Sequence, residues 1–160
     1  ISLPFVPVGG TGGADAVFTL ADGAGSGPPL RDGRRGVIYP EDVWRWVNNG
    51  VGGEYYYATA DVLEPFAGYW IYLTNDMTVT AEGHPVKNAA LRLMKGWNLV
   101  GTETRVALST DDYPELRARV WQWDALAQEY RATDTLVPCR GHWINVSRDD
   151  VVLPVRRDER

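Results

Sequence analysis

Six of the seven tryptophans in this chain fall into three pairs at nearly constant spacing. Val43-Trp44-Arg45-Trp46 matches Val120-Trp121-Gln122-Trp123 at an offset of 77 residues. A longer stretch, Tyr57 to Ile71, matches Tyr130 to Ile144 at an offset of 73 and carries Leu63-x-Pro65-x-x-Gly68-Tyr69-Trp70-Ile71 against Leu136-x-Pro138-x-x-Gly141-His142-Trp143-Ile144. The change of offset falls in Asn48 to Gly53, a glycine-rich loop that tolerates insertion. A chain carrying the same pattern twice is expected to build the same small structure twice. The repeat predicts a first unit over residues 1–86 and a second over 87–160.

The seventh tryptophan, Trp97, stands in Lys95-Gly96-Trp97-Asn98-Leu99-Val100-Gly101 at the head of the second unit. Aligning Leu99-Val100-Gly101-Thr102 with Ile1-Ser2-Leu3-Pro4 places its counterpart just ahead of residue 1. With Gly-Trp-Asn-Leu included, the chain resembles modules of secreted, multidomain bacterial and archaeal surface proteins. Those modules read G-W-N-L-[IV]-[SG], then V-W-x-[WY], then L-x-P-x-x-G-[YH]-W-[IV], over units of roughly 70 to 90 residues. The resemblance covers nearly the whole chain twice and implies an extracellular or cell-surface accessory or stalk module. The first copy departs from it in lacking Gly-Trp-Asn-Leu and in carrying a long insertion.

The segments around Trp44 and Trp46, Trp70 to Leu73, Trp97 to Gly101, Trp121 to Trp123 and Trp143 to Val146 have the short aromatic and β-branched character of strands. Asn48-Asn49-Gly50, Asn75-Asp76 and Arg148-Asp149-Asp150 supply turn chemistry between strand candidates. Helical pattern is confined to Asp15 to Ala21 and to Asp112 to Arg119, where an Asp cap precedes Pro114 in a first turn. Five short strands cover several tryptophans only if a sheet curls or packs on another. The expected fold is all-β: two related small antiparallel β-barrel or β-sandwich units in tandem, with short helical insertions. Gly68 and Gly141 are expected to serve backbone geometry at the entry to a strand. Residues 9–36 form a glycine-rich insertion, since 44 residues run from Ile1 to Trp44 against 22 from Val100 to Trp121.

Composition narrows the function. The charge sum, 16 basic against 21 acidic residues, lacks the basic excess that a phosphate backbone requires, so no nucleic-acid partner is expected. No apolar run reaches the roughly 18 to 20 residues needed to span a bilayer, so no membrane insertion is expected. One cysteine excludes an internal disulfide framework and a cysteine-rich metal site. Gly9-Gly10-Thr11-Gly12-Gly13 lacks the Lys-Ser/Thr of a phosphate loop. Cys139 and His142 occupy the slots of Phe66 and Tyr69, which makes them fillers of apolar or aromatic positions and not a thiol-imidazole pair. The doublets Asp111-Asp112 and Asp149-Asp150 have too few alternate acidic positions for calcium and read as solvated turns. Asn145-Val146-Ser147 is a glycosylation triplet at a strand end, and no modification is expected there. No enzyme, catalytic group, cofactor or metal is expected.

Two functions remain. A glycan-binding or adhesion module would stack sugar rings on outward Trp or Tyr, with Trp44, Trp46, Tyr55, Tyr56, Tyr57 and Trp121 as candidates. Residues two apart in a strand share a face, so the tryptophan pairs are assigned to the core, leaving Tyr55 and Tyr56 as the surface ligands. A structural module, the primary expectation, would instead assemble with copies of itself or neighbouring surface domains into a filament, sheath or layer. Ile1, Leu3, Phe5, Val6 and Val8 lie in a partly alternating apolar stretch suited to a donated or edge strand.

Overall fold

Short runs of aromatic and β-branched residues broken by turn residues leave little but strands to form. The structure, a computed structural model, describes residues 5–7, 18–21, 43–60, 62–71, 78–81, 83–85 and 90–155, with backbone alone for 5–7, 18–21, 78–81 and 83–85. The strands are β1 (Phe5–Pro7), β2 (Phe18–Ala21), β3 (Val43–Asn48), β4 (Tyr55–Thr59), β5 (Tyr69–Ile71), β6 (Thr78–Ala81), β7 (Gly83–Pro85) and β8 (Ala90–Leu93). They continue with β9 (Gly96–Val100), β10 (Val106–Ala107), β11 (Val120–Asp124), β12 (Glu129–Thr133), β13 (Thr135–Leu136), β14 (His142–Val146) and β15 (Val151–Pro154). All pairing is antiparallel. The two larger sheets have the orders β4-β3-β5 and β12-β11-β14-β9, and β1-β7, β2-β6, β8-β15 and β10-β13 form ribbons. Among the described residues there is no helix and no closed barrel.

The matched segments take matched places. β3 lies between β4 and β5 as β11 lies between β12 and β14. Trp46 stands opposite Tyr57, and Trp123 opposite Tyr130. Trp44 pairs with Trp70, and Trp121 with Trp143. Directly opposed residues share a face, so each sheet gathers its indoles on one side, with Tyr55 and Tyr57 in the first and Tyr130 in the second, while Tyr56 and Tyr69 lie on the other. The buried aliphatic residues belong to that other side, Val43 in the first sheet and Val120 in the second. In the C-terminal half, Val120, Ile144, Val146 and Val100 meet Leu91, Leu93, Val151 and Leu153 of the β8–β15 ribbon in a buried cluster that also receives Phe66. The tryptophan pairs therefore share a face as expected, yet the buried core belongs to their aliphatic neighbours, Val43 and Val120 among them.

The expected helices are absent from the described residues. Phe18–Ala21 is a strand paired with β6, and Asp15 to Val17 lie outside the described residues. Around Asp112 to Arg119 only two isolated turns close, the Tyr113 N–H donating to Ser109 O and the Leu116 N–H to Tyr113 O, each at 3.0 Å, before the chain extends. The Arg117 N–H donates to Asn145 O at 2.9 Å and the Ser147 N–H to Glu115 O at 2.8 Å. Pairing with β14 thus takes the backbone groups that a helix would use internally, and burial of Leu116 favours it. The Asn75-Asp76 turn lies outside the described residues. Arg148-Asp149-Asp150 is a corner carrying the chain from β14 to β15 in a different sheet, not a hairpin.

The Leu-x-Pro-x-x-Gly turn has a different logic from the one expected. Phe66 and Cys139, at the same place in the two copies, adopt φ of 64° and 62°, a region costing roughly 1 to 3 kcal/mol for a residue with a side chain. Neither Gly68 nor Gly141 is the left-handed residue. Gly68 is needed for proximity: its N–H donates to Leu99 O at 3.1 Å, and an added Cβ would lie 2.6 Å from Leu99 Cγ and 3.2 Å from the Leu99 carbonyl carbon. Gly68→Ala is expected to cost about 1 to 3 kcal/mol of stability by forcing these segments apart, read as a lowered urea midpoint at an unchanged slope.

Candidate functional site

The aromatic faces of the two sheets meet. Trp46 and Tyr57 from the N-terminal half pack edge to face against each other at 5.0 Å and 65°, and Trp123 and Tyr130 repeat this at 5.0 Å and 67°. Trp46 then meets Trp143 across the divide at 5.2 Å and 79°, while Trp123 meets Trp70 at 5.7 Å and 69°. Tyr57 reaches Trp143 at 6.5 Å and 87°, matched by Tyr130 and Trp70 at 6.4 Å and 89°. Each trio takes two rings from one half and the third from the other, the reciprocity of a twofold contact. Edge-to-face pairs of this kind contribute about 0.5 to 1.5 kcal/mol each beyond area burial.

Between and beside the trios opens a cleft of about 620 Å³ lined by Trp46, Tyr57, Trp97, Trp121, Tyr130 and Trp143. A smaller depression of about 340 Å³ is bounded by Trp44, Tyr57 and Trp70, counterparts of Trp121, Tyr130 and Trp143. The larger cleft keeps accessible ring surface, with Trp97 at 37% and Tyr57 and Tyr130 at 44% exposure. Partial burial, then the nearby Tyr130 phenol, push the Tyr57 hydroxyl above its ordinary pKa, so at neutral pH it is an uncharged donor and acceptor. Apolar ring faces with phenol hydroxyls suit a ligand having both an apolar face and hydroxyl groups.

The strand heading the C-terminal half anchors this region. Gly96 adopts φ of 92°, and the buried Asn98 closes the β8–β9 turn. Its Oδ1 accepts from the Met94 N–H at 3.0 Å, and its Nδ2 donates to Met94 O at 2.7 Å and Gly96 O at 3.0 Å. β9 pairs with β14 along one edge. On its other edge, Ala67 bridges Val100, and the Gly101 N–H donates to Phe66 O at 2.7 Å. Side chains of β3 complete the clasp: Trp46 Nε1 donates to Trp97 O at 2.8 Å, and Asn48 Nδ2 lies 2.9 Å from the same oxygen and 3.1 Å from Lys95 O. Asp149 ties the loops together, with Oδ1 accepting from the Lys95 N–H at 2.8 Å and Oδ2 from the Val51 N–H at 3.3 Å.

The other singled-out residues are placed as follows. Tyr55 stacks on Trp46 at 6.2 Å and 19°, donates to Lys95 O at 3.3 Å and stays half exposed. Tyr56, with the adjacent Val47, is on the opposite face of the sheet, away from the cleft rings. The two tyrosines are thus not brought together. Phe5 and Val6 lie in β1, opposite Pro85 and His84 of β7; Ile1, Leu3 and Val8 lie outside the described residues. Asp111 and Asp112 are exposed, and no cluster of three or more metal-ligating side chains occurs among the described residues. Asn145 lies within β14, paired with Trp97. Sequence reasoning left Trp97, Tyr130 and Trp143 out of the candidate site, although the repeat already equated Tyr130 with the candidate Tyr57.

Cys139 is exposed, whereas His142 is fully buried. His142 Nε2 accepts from the Val137 N–H at 3.2 Å, as the Tyr69 hydroxyl accepts from the Glu64 N–H at 2.6 Å. The Tyr-or-His position of the motif thus supplies an acceptor to the turn's backbone. Burial pushes Tyr69 up to about 12 and His142 down to about 4. No protein-family model, curated protein or solved structure matches this chain.

Two outcomes follow from these contacts. Double-mutant cycles on Trp46/Trp143 and on Trp123/Trp70 are expected to return similar couplings of about 1 kcal/mol in urea unfolding. His142 is neutral in the fold and regains an ordinary pKa near 6.5 on unfolding, so its contribution is complete above that pH and is lost as pH falls toward 4. The loss is on the order of 3 kcal/mol across that window. His142→Tyr, which retains an acceptor, is expected to flatten the decline of urea midpoint between pH 6.5 and 4.

Proposed function

We propose that this chain is a non-catalytic module of an extracellular or cell-surface protein, in which two related β-sandwich units in tandem serve a structural or assembly role. The observation carrying this reading is the reciprocal aromatic contact: Trp46, Tyr57 and Trp143 on one side, Trp123, Tyr130 and Trp70 on the other. Such contacts brace the two units against each other. The resemblance to tandem surface-protein modules supports the same assignment and its location. Copies of the chain or neighbouring surface domains are its partners, through stacking of units or addition of a strand at residues 1–8. Electron microscopy and sedimentation of the purified chain are expected to show ordered, concentration-dependent assembly. Deleting residues 1–8 is expected to abolish it while the C-terminal half stays folded. A chain that remains monomeric at every concentration overturns the assembly role.

The aromatic cleft favours a second reading, glycan binding by an adhesion module. A volume of about 620 Å³ admits a short oligosaccharide, and the exposed faces of Trp97, Tyr57 and Tyr130 offer stacking surfaces. Titration with soluble oligosaccharides is expected to shift tryptophan emission saturably, and Trp121→Ala to weaken that response more than Tyr56→Ala. An equal effect of the two substitutions overturns this placement of the ligand.

A further inference from the structure

The cleft between the sheets is walled in a way that selects its ligand. Among the described residues its lining is Trp46, Tyr57, Trp97, Trp121, Tyr130 and Trp143, with no carboxylate, guanidinium, ammonium or amide side chain. Trp143 forms the deep part at 9% exposure, and Trp97, Tyr57 and Tyr130 form a rim exposed at 37 to 44%. Three rings stand nearly at right angles to Trp143: Trp46 at 79°, Tyr57 at 87° and Trp97 at 88°, with centroids 5.2 to 6.5 Å away. The ring planes therefore run in crossed directions around one space. A near-parallel pair, Trp46 with Tyr55 at 19°, sits beside the cleft, but Tyr55 is not among the lining residues.

A flat sugar ring stacks on a parallel platform and carries hydroxyls around its edge, each of which loses water on entry and needs a polar partner. The lining offers phenol hydroxyls and indole N–H groups alone, and Trp46 Nε1 is already given to Trp97 O at 2.8 Å. A rounded quaternary cation has the opposite needs: it makes no hydrogen bond, and it gains from π faces on several sides. Indole is the strongest such face, and four of the six lining rings are tryptophans. The excess of 21 acidic over 16 basic residues favours the same sign of ligand. We propose that the aromatic cleft binds a quaternary ammonium group of the trimethylammonium type, held by cation–π contact with Trp97, Trp121 and Trp143 and enclosed at the rim by Tyr57 and Tyr130. The volume of about 620 Å³ takes the ammonium together with the chain that carries it, whether a small soluble molecule or a lipid headgroup. The site is that of the glycan reading with a different ligand, and it stands whether or not the chain assembles.

The test is a titration of the full chain with choline, followed by tryptophan emission against sodium chloride at matched ionic strength. Saturable binding is expected, about five- to thirtyfold tighter than that of dimethylbutanol, the isostere with carbon in place of the charged nitrogen. In the protein, Trp97→Leu keeps apolar surface and removes a π face. It is expected to weaken choline binding about five- to tenfold and dimethylbutanol binding by less than about twofold. Tyr56→Leu, on the opposite face of its sheet, is expected to leave choline affinity within about twofold. Thermal melting of each variant separates lost binding from lost fold, and the comparison of the two ligands needs no substitution. Absence of saturable choline binding, equal affinity for the uncharged isostere, or equal weakening by Trp97→Leu and Tyr56→Leu overturns the proposal. Soluble oligosaccharides that bind while choline does not overturn it and leave the glycan reading; choline that binds while they do not does the reverse. Cosedimentation with phosphatidylcholine vesicles that choline reverses supports the site and assigns the group to a lipid headgroup, and choline binding without it assigns a soluble cation.

Discussion

The contact between two sheets through their aromatic faces organises the rest of the molecule. Each sheet carries its indoles on one side, and in the C-terminal half the opposite side is already covered by the β8–β15 ribbon. Rings as large as indole on a sheet of three or four short strands need a second surface. The other copy provides it, with Trp46 reaching Trp143 and Trp123 reaching Trp70. The cleft follows from the same arrangement, since these rings overlap only in part.

The polar residues of the repeated motifs serve the turns that present those rings. Asn98 satisfies the backbone of the β8–β9 turn, Tyr69 and His142 each accept an N–H from the turn five residues earlier, and Asp149 joins the loops carrying Val51 and Lys95. These groups are largely withdrawn from solvent, where an unmade hydrogen bond costs about 1 to 3 kcal/mol. The preference for Tyr or His at one place is thereby explained: both offer an aromatic body and an acceptor at the reach of the turn's N–H. A Cys-His pairing in sequence has no such geometry, with the thiol outside and the imidazole inside.

The strands β3, β5, β9, β11 and β14 were legible in the sequence because the repeat and the period-two alternation act locally. Trp44 with Trp46 and Trp121 with Trp123 do share faces, and Asn48-Asn49-Gly50 does begin the β3–β4 hairpin. Which face became the core was not legible. Periodicity says that residues lie together but not what covers them, and here Val43 and Val120 went inside while the tryptophans went to the divide between copies. The segment from Asp112 to Arg119 misled for a related reason. Its cap and proline are local helix signals, overruled by distant pairing with Asn145 and Ser147. The candidate site was legible only in part: Trp46, Tyr57 and Trp121 stood among the stacking candidates, but Tyr55 and Tyr56 were the ones retained as surface ligands, and Trp97, Tyr130 and Trp143 come to the cleft only through tertiary packing.

The double-sided hold on β9 has a thermodynamic consequence. Lifting the N-terminal half away would strip Trp97 O of its indole and amide donors, break the Phe66–Gly101 and Gly68–Leu99 bonds and withdraw Phe66 from the cluster beneath. Neither copy reaches its lowest free energy alone. A duplicated chain that outwardly invites two separate melting events is therefore built to lose its order in one cooperative step.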